Sequence, residues 1–373
     1  MNGIVFFVSS MHGGGAERVA ALLCNRWAAE GRDVTLVPIF SGRGTCLYPL
    51  NERVRLVYLA DRVGTTRKTP ITMLRRLWEM RRIVREARAK SVLSFLPHVN
   101  IPTLLVVRGL GVPVVVSERT YPPAMPLGPF WSILRKLTYP FAKQVVMQTE
   151  GGFDWLAREI PRANGAVISN PCAFPLPSSE PRVAPQDIVP KAKHLLLAVG
   201  RLDELKQFNL LLHAFAELAP CFPDWDLAIL GEGEERAALE AQSQSAGLAG
   251  RVHMPGRVGN VADWYGYADV YVMTSRFEGF PNTLLEALAY GLPAVSFDCA
   301  TGPAEMIEDG VNGFLVPPED GVEGLVSRLE FLMGDGQQRQ TLAAHAASVR
   351  QRFSFGEVGL SWDVALGIEK QDV

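Results

Sequence analysis

Short apolar runs rich in β-branched residues alternate along the chain with longer stretches whose apolar positions recur at helical spacing. The run Ile4 to Ser10 is followed by a helical pattern over Ala16 to Glu30 and then by the run Val34 to Phe40. This rhythm predicts βαβ units and a parallel sheet. Further strands are predicted at Val54 to Leu59, Val92 to Leu96, Val114 to Ser117, Gln144 to Gln148 and Ala166 to Ser169. Most are apolar almost throughout, as strands covered on both faces should be. Between Pro171 and Pro190 fall six prolines, a composition that disfavours regular structure and reads as a linker. The rhythm then restarts, with strands predicted at His194 to Val199, Leu227 to Leu230, Val252 to Met254, Val270 to Thr274, Ala294 to Phe297 and Phe314 to Val316. The fold class expected is α/β, with two Rossmann-like doubly wound parallel-sheet domains facing a cleft. The first spans 1–172, the linker 173–190 and the second 191–354. A closing helix around Trp362, within 355–373, is expected to pack back on the first domain.

Composition changes this picture little. The chain has 373 residues, of which 48% are hydrophobic and 20% charged, ordinary globular material and too long for one core. Charge adds more. The formal net charge of -2 conceals an excess of cations in residues 1–172 and of acids in 173–373, so the first half should attract anionic ligands or surfaces. The five cysteines are scattered, without metal-ligand or disulfide-framework spacing, and suit reduced thiols in cytosol. The first apolar run lacks the basic flank of a signal peptide. The longest apolar stretch, Ile101 to Val116, is interrupted by Arg108, Gly109, Gly111 and Pro113, so any membrane contact should be peripheral.

Four segments carry candidate chemistry. In Glu278-Gly279-Phe280-Pro281-Asn282-Thr283-Leu284-Leu285-Glu286 a loop leads into a helix and places two carboxylates toward one ligand. Amides at the helix start can bind phosphate, and a carboxylate can accept two hydrogen bonds from a vicinal diol such as ribose. Gly200-Arg201 and Lys206 follow the first strand of the second domain, where two cations can neutralise a diphosphate and stabilise it as a leaving group. His12-Gly13-Gly14-Gly15 forms a glycine loop before the first helix; it is not the dinucleotide fingerprint, which disfavours a dehydrogenase. Residues Arg67 to Lys90 hold nine cations against two glutamates, with Ile71, Leu74, Leu77, Trp78, Ile83 and Val84 read as an apolar stripe beneath a basic face. Such a helix can lie on anionic lipid or meet an anionic acceptor. Asp224-Trp225-Asp226 matches a metal-binding acidic signature only superficially, because it precedes an apolar strand, and no metal is assigned. His98, after the strand ending at Leu96, is a secondary candidate.

Together with Gly-Gly-Ala-Glu-Arg near the start and Ser169-Asn170-Pro171 before the linker, these segments resemble the retaining family 4 glycosyltransferases of GT-B fold, over essentially the whole chain. They look most like the bacterial branch that builds lipid-linked oligosaccharide, exopolysaccharide or lipopolysaccharide. The resemblance implies a UDP-sugar or GDP-sugar donor, the former favoured, and a lipid-linked or polysaccharide acceptor, with no cofactor, no metal and no nucleic acid. It implies that Arg201 and Lys206 bind the diphosphate, Glu286 the ribose, Glu278 the transferred sugar, and that Gly14 and Gly15 lie near the donor phosphate. Gly256-Arg257-Val258 would meet the base, and the Gly302 turn in Asp298 to Glu305 would flank the sugar. Where many relatives place a histidine, this chain reads Ser117-Glu118-Arg119, so acceptor binding is assigned to His12, His98, Glu118 and Arg119 without a catalytic histidine. An epimerase or phosphorylase of the same plan, or a silent scaffold of an assembly complex, would share these features. The expected setting is cytoplasmic, peripheral on the membrane through residues 67–90.

Overall fold

Runs of Val, Ile, Leu and Phe that are apolar on both strand faces can be satisfied only in a sheet covered by helices on both sides. In the computed structural model, which describes residues 3–12, 14–42, 46–67, 69–190 and 192–368, they form two such sheets. Gly13 of the glycine loop, Lys68 of the basic segment and the last residues of the expected closing helix lie outside the described residues. The chain divides into two compact units, Met1–Pro171 with Gly356–Val373, and Cys172–Phe355.

The first unit contains β1 (Gly3–Val8), β2 (Val34–Pro38), β3 (Val54–Leu56), β4 (Ala89–Phe95), β5 (Val114–Ser117), β6 (Gln144–Met147) and β7 (Gly165–Val167). All pair in parallel, in the order β3-β2-β1-β4-β5-β6-β7. The strand expected over Val54 to Leu59 ends at Leu56, because Leu59 opens a short helix closed by left-handed Gly64 at φ 78°. The helices are α1 (Gly15–Ala29), α2 (Leu59–Val63), α3 (Pro70–Glu86), α4 (Pro97–Val107), α5 (Pro129–Thr138) and α6 (Glu150–Glu159). Helix α4 packs between α3 and α5.

The second unit contains β8 (His194–Val199), β9 (Trp225–Leu230), β10 (Val252–Gly256), β11 (Val270–Met273), β12 (Ala294–Phe297) and β13 (Gly313–Val316), parallel in the order β10-β9-β8-β11-β12-β13. Helices α7 (Phe208–Leu218), α8 (Arg236–Ser245), α9 (Val261–Tyr267), α10 (Asn282–Ala289), α11 (Gly321–Gly334), α12 (Gly336–Ala346) and α13 (Val349–Arg352) cover it. Alternate residues of β8 divide between two cores: Leu196 and Ala198 join Phe215 and Leu329 on one face, Leu195 and Leu197 join Trp264 and Leu284 on the other.

Helix α14 (Phe355–Leu366) is counted with the first unit from Gly356 onward. Trp362 is fully buried with its ring 5.6 Å from that of Phe95, and Asp363 accepts from Arg26 Nη2 at 2.7 Å and Trp27 Nε1 at 2.8 Å. A buried carboxylate so bonded ties the chain end to α1.

Helix α3 departs from its expected orientation. Its buried face is Arg76, Glu79, Met80, Ile83 and Val84, whereas Ile71, Leu74 and Trp78 are 67%, 68% and 61% exposed. The stripe read beneath the basic face is therefore partly an outward row. A pattern of apolar residues spread round the whole helix does not say which of them meets the sheet.

Candidate functional site

In the second unit strand order reverses between β8 and β11, and open α/β sheets bind ligands at such a reversal, off the carboxyl ends of the strands. Gly200 to Lys206 leaves β8 there and Thr274 to Glu278 leaves β11. The two loops are joined by backbone: Arg276 N–H donates to the Leu205 carbonyl at 2.8 Å, and Thr274 Oγ1 to the Lys206 carbonyl at 2.8 Å. Lys206 and Glu278, far apart in sequence, are thereby brought together. Lys206 Nζ donates to Glu278 Oε1 at 2.5 Å, and Ser275 Oγ donates to the same oxygen at 2.7 Å. An ammonium has three donors, so two more can reach an anion while Glu278 is held. Arg201 is 77% exposed in its side chain and steadied by Asp203 Oδ2 at 2.9 Å.

Close backbone approach shapes this corner. A Cβ on Gly231, at φ +144°, would lie 1.8 Å from the Gly200 carbonyl oxygen, and one on Gly233 2.1 Å from that of Leu202. The sequence signal for this corner is the Gly231-Glu232-Gly233 turn, two glycines directly after a strand. On the other side Gly302, at φ +106°, sits where a Cβ would be 2.5 Å from Pro281 Cδ, and the Thr301 hydroxyl donates to the Glu278 carbonyl at 2.5 Å. The segment Asp298 to Glu305 thus buttresses the Glu278 loop.

Glu286 lies on α10, 5% exposed, and accepts from Tyr265 Oη at 3.1 Å. Tyr265, on α9, had no local sequence signal. The first turn of α10 is anchored by Tyr271, whose hydroxyl bonds Thr283 Oγ1 at 2.8 Å; burial raises the Tyr271 pKa and keeps it a neutral donor. Phe280 is buried, its ring 5.7 Å from that of Phe353, and Pro281 and Leu284 are buried beside it. Gly279, Asn282 and Thr283 remain partly accessible at the helix start, a position that favours an anion. Arg257 is exposed and Val258 half-buried, both leaving edge strand β10 beyond left-handed Gly256. Asp226 stands at the amino end of β9, the opposite edge of the sheet, 2% exposed and engaged by Arg251 Nε at 3.1 Å and His253 Nε2 at 2.9 Å.

In the first unit strand order reverses between β1 and β4, and the residues read as acceptor-binding divide there. His12 and His98 are exposed past the ends of β1 and β4, the latter with its ring 4.8 Å from that of Trp131, edge to face. Gly14 and Gly15 form the N-terminus of α1, where the Gly14 carbonyl accepts from Tyr48 Oη at 3.0 Å. Glu118 and Arg119 are interior. Glu118 is 1% exposed, accepts from Tyr139 Oη at 2.5 Å and has Arg135 at 3.6 Å; burial outweighs these partners and raises its pKa. Arg119 lies 4.3 Å over the Phe95 ring, donates to Asn170 and is driven by burial down to about 9. Its Nε and Nη1 have no hydrogen-bond partner among the described residues.

Two doubly wound sheets with polar loops at each reversal, one holding a lysine–carboxylate pair beside a helix start, define a two-domain α/β protein of GT-B architecture. Comparison with known proteins carries this further. Residues 14–171 match the Glycosyl transferase 4-like domain and 182–349 match Glycosyl transferases group 1. A Campylobacter jejuni GalNAc-alpha-(1->4)-GalNAc-alpha-(1->3)-diNAcBac-PP-undecaprenol alpha-1,4-N-acetyl-D-galactosaminyltransferase is 27% identical over 96% of each chain. The amylovoran biosynthesis glycosyltransferase AmsD of Erwinia amylovora is 29% identical over 89% of this chain and 90% of its own. The structure of Anabaena Alr3699/HepE, in complex with UDP and glucose, superposes with a TM-score of 0.81 at 19% identity, covering 98% of this chain and all of that one. The chain is a glycosyltransferase, built from a 4-like domain and a group 1 domain, with relatives in bacterial glycan biosynthesis.

Proposed function

We propose that this glycosyltransferase moves a hexose or N-acetylhexosamine from a UDP-sugar to a lipid-linked acceptor with retention of anomeric configuration. The observation that carries the reading is the Lys206–Glu278 pair, set at the reversal of the second sheet beside the α10 N-terminus. Lys206 and Arg201 hold the diphosphate, Glu286 takes the ribose hydroxyls, and Glu278 orients the transferred sugar. Arg257 and Val258 meet the base. In the step itself the bond from the anomeric carbon to the diphosphate oxygen breaks. The acceptor oxygen bonds to that carbon on the same face, and the acceptor proton passes to the departing diphosphate. Charge growing on UDP is met by the two cations, and no metal is assigned to the step.

The acceptor class rests on the named relative that acts on a diphospho-undecaprenol glycan and on the surface of the first unit. Among the described residues no helix is long and apolar enough to cross a membrane. Helix α3 instead exposes Ile71, Leu74 and Trp78, and α5 exposes Phe130, Ile133 and Leu137, both at i, i+3, i+7. Arg75, Arg82 and Arg85 stand among the α3 row. Apolar rows edged by cations suit the surface of an anionic membrane, so peripheral attachment is part of the reading.

The test is incubation of the purified chain with UDP-sugars and a diphospho-prenol oligosaccharide, with and without EDTA, followed by mass and anomer analysis of the product. Release of UDP with an acceptor gain of one α-linked sugar is expected. Interconversion of donors without any acceptor, or a β-linked product, refutes the proposal.

A further inference from the structure

The first unit contains a cavity of about 550 Å³, lined in part by His98, that takes no part in the donor site proposed above. It opens at the carboxyl edge of the sheet: Ser9 follows β1, Phe40 follows β2, Leu96 to His98 follow β4 and Thr120 follows β5. Its volume is that of a small-molecule site. The wall is hydrocarbon and aromatic, from Phe40, Met73, Leu77, Met80, Pro102 and Trp131. Two basic side chains interrupt it, Arg76 and His98.

Arg76 is the informative one. It is 3% exposed, its Nη1 donates to the Ile39 carbonyl at 2.5 Å and its Nη2 to the Thr65 carbonyl at 3.0 Å. Its Nε has no hydrogen-bond partner among the described residues. Among the described residues no carboxylate is paired with it, and burial pushes its pKa down. The guanidinium is anchored by two neutral carbonyls, and a cation held at an apolar wall is costly unless an anion comes near it. The same helix that carries Arg76 and Leu77 inward carries Ile71, Leu74 and Trp78 outward, and the helix carrying Trp131 also carries the Phe130, Ile133 and Leu137 row. The cavity thus lies under the surface best suited to a lipid leaflet.

We infer that this cavity binds the phosphate-proximal hydrocarbon of a phosphorylated prenyl lipid, with Arg76 and His98 on its phosphate side. The inference rests on the lipid-linked acceptor proposed above and deepens it: the enzyme reads the lipid as well as the glycan. Leu96 adds a reason for the cavity's place. It holds a left-handed φ of 76° at the start of α4, a conformation that such a residue rarely adopts. It turns the chain so that His98 and Val99 face the cavity.

Titration of the purified full chain with farnesyl phosphate, farnesol and inorganic phosphate tests this without any donor present. Farnesyl phosphate should bind one to one, farnesol at least about fivefold more weakly, and phosphate without saturation. Leu77→Trp and, independently, Met73→Trp fill the cavity and should each weaken farnesyl phosphate about tenfold or more. UDP binding to the second unit should be unchanged, and far-ultraviolet circular dichroism and the thermal melt of the full chain should match wild type, which reports that the first unit of each variant is folded. Anionic phosphatidylglycerol vesicles should bind wild type and both variants alike, because the outward rows are intact. The inference is overturned if neither filled variant weakens farnesyl phosphate, if phosphate alone binds as tightly, or if vesicle binding falls in step with farnesyl phosphate. Sugar transfer is read in a separate assay, so failure here leaves the transferase reading standing, and failure of transfer leaves this binding test intact.

Discussion

Replacing Lys206 by Met removes one charge while keeping most of the side-chain volume, and it separates stability from catalysis. The side chains of Lys206 and Glu278 are 21% and 15% exposed. Breaking an exposed pair costs about 0.2–1 kcal/mol, and breaking a fully buried one about 3–5 kcal/mol. Ser275 still donates to Glu278 Oε1 in the variant, so the loss should fall near the lower figures, about 1–2 kcal/mol. That is a small part of the 5–15 kcal/mol that keeps a domain folded and lowers a melting temperature by roughly 2–8 °C. Catalysis should suffer more. A preorganised donor aimed at growing negative charge is worth about 10²–10³ in kcat, or roughly 3–4 kcal/mol. Initial rates of UDP release in the presence of acceptor, with thermal melts on the same samples, give both numbers. The Gly200 position supplies an internal control. A Cβ there would lie 3.1 Å from Lys206 Cε, so Gly200→Ala displaces the ammonium without removing it and should cost less than Lys206→Met. A Lys206→Met enzyme that melts as expected yet keeps kcat within about threefold of wild type would refute the assignment of Lys206 to the leaving group.

Three further outcomes follow from contacts already described. Glu286→Gln should weaken UDP binding by about 1.5–3 kcal/mol, roughly tenfold to more than a hundredfold, while Tyr265→Phe, which removes only a neutral donor, should cost about 0.5–1.5 kcal/mol; calorimetric titration with UDP compares them. Gly231→Ala puts a Cβ 1.8 Å from a backbone oxygen at φ +144°, and the second unit should lose several kcal/mol or fail to fold, read by urea unfolding. Glu118 has a raised pKa in the fold, so its contribution to stability is fully present below its unfolded pKa and is lost as pH rises through the folded value. Glu118→Gln removes that loss, and the stability of wild type relative to the variant should fall as pH rises above the ordinary carboxylate range in urea titrations; a difference that rises with pH contradicts the burial argument.

Strand positions were the most legible part of the chain, because a strand covered on both faces leaves a continuous apolar run whatever its neighbours do. Val114 to Ser117, His194 to Val199 and Ala294 to Phe297 are strands with the bounds expected of them. The α/β class followed from the rhythm alone. Orientation was less legible. On α3 the apolar residues surround the helix, and only the sheet decides that Met80 and Ile83 turn in while Leu74 and Trp78 turn out. The α5 row of Phe130, Ile133 and Leu137 is likewise indistinguishable from a core row in sequence, because outward and inward apolar positions give the same letters. The site shows the same division. Glu278, Lys206 and Glu286 are polar groups in turn-rich or helix-start segments and could be picked out singly, but the partners Tyr265 and Thr301 come from other elements and left no local pattern.

Charge is where sequence and structure differ most in consequence. The cationic excess of the first half suggests a surface that attracts anions, yet Arg32, Arg76, Arg119 and Arg135 are each at least nine-tenths buried. Arg135 faces Glu118 and lies over the Trp155 ring, and Arg119 lies over Phe95. Such cations cannot steer a ligand from a distance; buried charge acts over hydrogen-bond range or not at all. Of the cations that remain exposed in the first unit, Arg75, Arg82 and Arg85 of α3 stand beside the apolar row, and Arg82 is shared with Glu86 at 2.7 Å. Membrane attachment through this unit should then depend on the apolar rows of α3 and α5 more than on net charge. Leu74→Glu with Ile133→Glu should abolish vesicle binding at any ionic strength. Arg75→Gln with Arg85→Gln should only steepen its loss with salt, as co-sedimentation at about 0.05 and 0.5 M salt would read.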